Sequence, residues 1–171
     1  LRKMIFVIAN IAEEGLNGSK AKDWKKLQFM ASVDIEVNKY SDFCRRILNT
    51  LGHRVVRRAP PFYYLVEQLE KIGDSFRDIC IYCSSNSVAL SGEVSEAYTK
   101  VNDFFRQFRV LYGKFDVKAL TEFARNHYEL KAELEKMLHS IDRKELPVLV
   151  LLKVAESDIF DMNGALMAEK L

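Results

Sequence analysis

The chain has 171 residues, long enough for one sizeable core or two small ones in tandem, and its 26 basic and 24 acidic residues nearly cancel. No basic stripe with interleaved aromatics runs along it, the cluster Arg54 to Arg58 falls in an expected turn, and the longest oily run, Leu146 to Leu152, is too short to cross a bilayer. These features speak against direct nucleic-acid binding, membrane insertion and, with no small-residue cleavage pattern after Leu1 to Ala12, a signal peptide; a cytoplasmic protein is the expectation.

The apolar spacing predicts six helices and no sustained strand. The first runs over about Leu1 to Glu14 and ends in a turn at Gly15-Leu16-Asn17-Gly18-Ser19. The second spans about Ala21 to Leu51, and its inward line includes Trp24, Leu27, Met30, Asp34, Val37, Asn38, Ser41, Cys44, Ile47, Leu48 and Leu51. Polar side chains thus interrupt that line at its centre, where burial is costly without partners. Gly52 marks the end of this helix and Pro60-Pro61 the start of the next, so the two return antiparallel.

The third helix, about Pro61 to Ser84, sets an apolar line (Phe62, Leu65, Leu69, Ile72, Phe76, Ile79, Cys83) beside an acidic one (Glu67, Glu70, Asp74, Asp78). Gly73 sits mid-helix, where it costs roughly 1 kcal/mol against alanine and marks a close backbone approach or a site. With equal helical rises, position i of the second helix faces about 111 − i of the third, which brings Asp34 and Asn38 beside Asp78 and Asp74. Carboxylates and an amide on two helices suit a hard cation such as Mg²⁺, Ca²⁺ or Mn²⁺, or a hydrated iron or zinc ion. The other reading is that these acids are exposed and pair with Lys39, Arg45, Lys71 and Arg77.

The fourth helix, about Val88 to Tyr112, carries Leu90, Val94, Ala97, Val101, Phe104, Phe105, Phe108 and Leu111 on one stripe, and Gly113 stops it. The fifth runs from Asp116 as N-cap to about His139, burying Leu120, Phe123, Ala124, His127, Leu134 and Leu138; the sixth runs from Asp142 to the C-terminus. The fold class expected is all-α: two tandem three-helix bundles related by an internal repeat, residues 1–87 and 88–171, six antiparallel helices in a single domain.

Three cysteines without framework spacing indicate a reducing compartment, and Cys80-Ile81-Tyr82-Cys83 reads as a pair of buried structural thiols. His127 reads as a hydrogen-bonded core histidine. No E-x-x-H pair, H-E-x-x-H, G-x-S-x-G, P-loop or dinucleotide fingerprint occurs, so no enzymatic chemistry is expected.

Leu69-Glu70-Lys71-Ile72-Gly73-Asp74-Ser75-Phe76-Arg77-Asp78-Ile79 resembles the "LERIGD" helix of the PhoU family of phosphate-uptake regulators, closest to its archaeal regulator domains. Asp34-Ile35-Glu36-Val37-Asn38-Lys39 is similar to the family's second signature, an acidic residue followed by Val-Asn or Val-Asp, at the right distance upstream. Leu152-Lys153-Val154-Ala155-Glu156-Ser157-Asp158-Ile159-Phe160-Asp161-Met162 looks like a diverged second copy.

The resemblance implies a PhoU fold with metal (iron, zinc, manganese or magnesium) held on E/D-x-x-x-D motifs. Glu70 and Asp74 would be ligands from the third helix, with Asp34 and Asn38 from the second and Asp78 nearby. In the second copy Lys153 and Ser157 stand where the acidic pair would be, leaving Glu156 and Asp161 in a shifted arrangement. It further implies phosphate signalling through contact with a phosphate transporter or sensor protein, and a homodimer. The alternative is a metal-free dimerisation module of a transcription regulator. Some archaeal relatives carry an AbrB-like module ahead of the PhoU region, and Leu1 in place of an initiator methionine makes a missing N-terminal segment, the only route to DNA, an expectation here.

Overall fold

A computed structural model describes residues 1–170. Within them the chain forms α1 (Arg2–Ala21), α2 (Trp24–Leu51), α3 (Ala59–Asn86), α4 (Gly92–Gly113), α5 (Val117–Met137) and α6 (Leu146–Lys170), with one turn of 3-10 helix at Val56–Arg58. Among the described residues there is no strand, and no helix is long and apolar enough to cross a membrane.

The helix ends follow local chemistry. Lys22 takes a left-handed conformation (φ 56°) to close α1, and the Asp23 side chain accepts the Lys26 N–H at 3.0 Å to open α2. Gly52, at φ 67°, caps α2 through its N–H on the Leu48 carbonyl. Ser91 caps α4, and Asp116 caps α5 by accepting the Ala119 N–H at 2.8 Å.

Packing groups the helices in two threes. α1, α2 and α3 lie against one another, as do α4, α5 and α6, and the two groups join along the broad α3 and α6 faces and again where α1 meets α4. The central ring is therefore α1, α3, α6 and α4, with α2 and α5 braced outside it. Its core is aromatic and branched: Phe76, Tyr98, Phe104, Phe105, Phe108 and Phe123 are fully buried beside Ile8, Leu69, Ile72, Leu149 and Leu152. Each such aliphatic or phenylalanine side chain contributes roughly 1.5–3 kcal/mol on burial. At one end Tyr82 donates its hydroxyl to the Lys144 carbonyl at 2.8 Å, and the buried Glu145 accepts the Ser91 N–H at 2.5 Å, pinning both inter-helix loops.

The sequence reading needs correction at several boundaries. The stretch Gly15-Leu16-Asn17-Gly18-Ser19 is helical, carrying α1 to Ala21. Its glycines serve packing, since a Cβ at Gly15 would stand 2.8 Å from Cys80 Sγ and 3.0 Å from the Tyr98 hydroxyl, and one at Gly18 would press on Leu27. α3 begins at Ala59 with prolines in its first turn, α4 begins only at Gly92, and Asp142 organises a turn that precedes α6, which starts at Leu146. Leu51, assigned to the inward line of α2, is exposed, as is Ile47 to a lesser degree, because α2 faces solvent near its C-terminal end.

Candidate functional site

The α2–α3 pair has the register expected from equal rises: Arg77 reaches Asp34, a sum of 111. Gly73 makes the close approach possible. A Cβ there would lie 3.2 Å from Val37 Cγ1, 3.3 Å from Asp34 Oδ1 and 3.5 Å from Ile8 Cγ1, so the bare backbone lets α2 and α1 close over α3.

Around this point the acidic side chains sort onto two arginines. Arg77 donates to Asp34 Oδ2 at 3.0 Å, to Asp78 Oδ1 at 2.8 Å and 2.9 Å, and to the Asp74 carboxylate. Asn38 Nδ2 donates to Asp34 Oδ2 at 3.2 Å. Three carboxylates, one amide and one guanidinium thus share a junction whose deepest member, Asp34, is buried. One helical turn earlier on α3, Arg45 from α2 holds Glu67 through bonds of 2.6 Å and 3.1 Å and also bonds Glu70. The expected set is therefore split: Asp34, Asn38, Asp74 and Asp78 meet, while Glu70 belongs to the Arg45 knot.

The pairing of the acids with Arg45 and Arg77 is thereby seen in the structure, whereas Lys39 bonds Glu36 instead.

Electrostatically the Arg77 junction is under-compensated, with three carboxylates set against one guanidinium. Burial pushes the Asp74 carboxyl above its ordinary value; Arg77 pulls it down, and Asp34 and Asp78 push it up again. For Arg77 the loss of solvent works against the charge, but the bonds to Asp78 and the nearby Asp74 and Asp34 outweigh it and the net shift is upward. Asp34 Oδ1 is buried without a hydrogen-bond partner. An orphaned carboxylate oxygen, a surplus of negative charge and an all-oxygen donor set are the chemistry of a hard-cation site. In this structure Arg77 supplies the cation. Among the described residues no three His, Cys, Asp or Glu side chains stand close enough to enclose a metal ion.

The corresponding place in α6 is built differently. Setting Leu152 on Leu69 puts Lys153 on Glu70, Glu156 on Gly73 and Ser157 on Asp74. Glu156 is buried and accepts from or donates to His127 Nδ1 at 2.5 Å, and the imidazole stacks on Phe160 with ring centres 3.7 Å apart. Burial pushes the Glu156 carboxyl up, against the pull of the His127 bond. Asp161 points out to solvent, so the two acids suggested for a shifted second site lie on different sides of the helix surface.

Cys80 and Cys83 are buried thiols, pushed up to about 12 and about 11 chiefly by burial, which disfavours the thiolate at neutral pH. The Glu156 partner of His127 is what periodicity alone did not reveal; a histidine and a glutamate each at an inward position of neighbouring helices was the available signal.

The fold and junction define a class before any comparison: an all-α bundle of two helix triplets with an acidic seam between two long helices. No protein-family model matches the sequence, and no characterised protein matches it by sequence comparison. By structure, the chain is similar to PhoU, the phosphate transport system regulatory protein of Streptococcus pneumoniae, whose crystal structure superposes with a TM-score of 0.75 over 99% of this chain and 91% of that one, at 13% identity. The chain has the PhoU fold.

Proposed function

We propose that this chain is a PhoU-like regulator of phosphate transport that works through protein contacts and is not an enzyme. The supporting observation is the likeness to the S. pneumoniae regulator along almost the whole chain, reinforced by Gly73 standing where α2 and α3 approach beside their acidic seam. Its partner would be a phosphate transporter or sensor protein, engaged by a single domain, with a homodimer as the working form. Deleting the gene in its own host and following uptake of radiolabelled phosphate at high external phosphate tests this: loss of the normal restraint on uptake is the expected result, and unchanged uptake under both high and low phosphate contradicts it.

Metal binding forms part of the proposal through the oxygens of Asp34, Asn38, Asp74 and Asp78. A bound divalent or ferric ion would supply the positive charge the seam lacks and would tie α2 to α3. It competes with Arg77 for the same oxygens, and Glu70 would join only on release from Arg45. That competition favours a second reading, a metal-free helical interaction module of a transcription regulator in which the arginines have taken over the ion's role. Metal uptake that rises when Arg77 is shortened to alanine supports the first reading; no uptake by either protein supports the second.

A further inference from the structure

The turn that joins α2 to α3 has a composition unlike the rest of the chain. Between Asp42 and Glu67 there is no acidic residue, yet there are five arginines in a molecule whose overall charge is only +2. Arg45 is consumed by Glu67 and Glu70, whereas Arg46, Arg54, Arg57 and Arg58 make no salt bridge among the described residues. Among them stand exposed oily side chains: Leu51 is 81% and Val56 83% accessible. A Cβ at Gly52 would meet nothing within 4 Å, so the turn projects into open space. Behind it, Tyr63 and Tyr64 at the start of α3 are partly exposed, and the antiparallel register puts Tyr64 opposite about Ile47, itself exposed.

Apolar side chains at a projecting turn, unpaired arginines around them and tyrosines one step back form the layered pattern of a segment that enters a headgroup region: oil in the acyl boundary, aromatic hydroxyls at the interface, cations on the phosphates. An acidic protein surface would satisfy the arginines. It would need a cavity shaped to receive Leu51 and Val56, whereas a bilayer interface deforms around them. We propose that the α2–α3 turn is a peripheral docking tip for an anionic lipid surface, independent of the phosphate-regulatory reading. The contact is superficial, since no described helix can cross a membrane.

Each arginine near an anionic leaflet multiplies binding about fivefold, and the attraction is screened within ~10 Å at 0.1 M salt. Co-sedimentation of the purified chain with vesicles of phosphatidylcholine alone, or with ~30% phosphatidylglycerol, provides the test, alongside Arg54→Glu/Arg57→Glu and Leu51→Ser/Val56→Ser variants. All four positions are exposed, and circular dichroism checks that each variant keeps its helices. Expected are binding to the anionic vesicles only, its loss in ~0.5 M salt, a fall of about 25-fold or more for the charge-reversed variant, and a several-fold fall for the serine variant. Absence of binding to anionic vesicles, or equal binding by wild type and the charge-reversed variant, overturns the proposal. So does capture by immobilised poly-glutamate without vesicle binding, which would assign the tip to an acidic protein.

Discussion

Arg77 ties the middle of α3 to α2 by standing among three carboxylates, one of them, Asp34 of α2, buried. Removing it leaves the buried Asp34 without its cationic partner inside the seam, the circumstance in which loss of one partner costs most. Arg77→Ala is expected to lower stability by about 3 kcal/mol at pH 7. The deficit narrows toward pH 4 as Asp74, whose carboxyl burial already pushes above its ordinary value, takes up a proton, which urea unfolding at the two pH values measures. Glu156 behaves in the same sense, since burial in the fold raises its pKa. Its favourable contribution is complete below the usual 4.5 and is lost as pH rises through the folded value. Glu156→Gln retains a hydrogen bond to His127 without the charge. Its stability relative to wild type should therefore improve from pH 4.5 to pH 8, and an unchanged difference would contradict the buried carboxylate's role.

At the scale of the elements, periodicity located all six helices and the α2–α3 register, because a 28-residue amphipathic helix repeats its signal many times. Boundaries were less legible. Two glycines and an asparagine in Gly15-Leu16-Asn17-Gly18 carry the composition of a turn, but tertiary packing overrode it: Cys80 and Tyr98 occupy the space that side chains would need. Gly15→Ala is accordingly expected to destabilise the fold by ~1–3 kcal/mol through overpacking. Its modest gain in intrinsic helix propensity, about 1 kcal/mol, only partly offsets this. A thermal melt that moved upward would show that the neighbours yield freely. The candidate site was legible as a set of acids and hidden as a set of pairs. Spacing brought Asp34, Asn38, Asp74 and Asp78 together, but which arginine each acid chooses depends on side-chain reach across two helices, and that placed Glu70 with Arg45.

On the whole-molecule scale, the two helix triplets carry unlike centres. A glycine on α3 admits an acidic seam in the first; on α6 a glutamate fills the corresponding place and closes on His127 in the second. The first triplet sets the buried Asp34 with two further carboxylates around Arg77, while in the second Phe160, Phe104 and Phe123 surround the imidazole that pairs with the buried Glu156. The decisive measurement is the metal content of the purified chain, by elemental mass spectrometry after reconstitution with iron, zinc and manganese, against a Glu70→Ala/Asp74→Ala variant. Stoichiometric metal in the wild type that disappears from the variant is the result expected of a PhoU-like metal-binding regulator. Metal absent from both, or retained equally by both, contradicts a site on the α2–α3 seam.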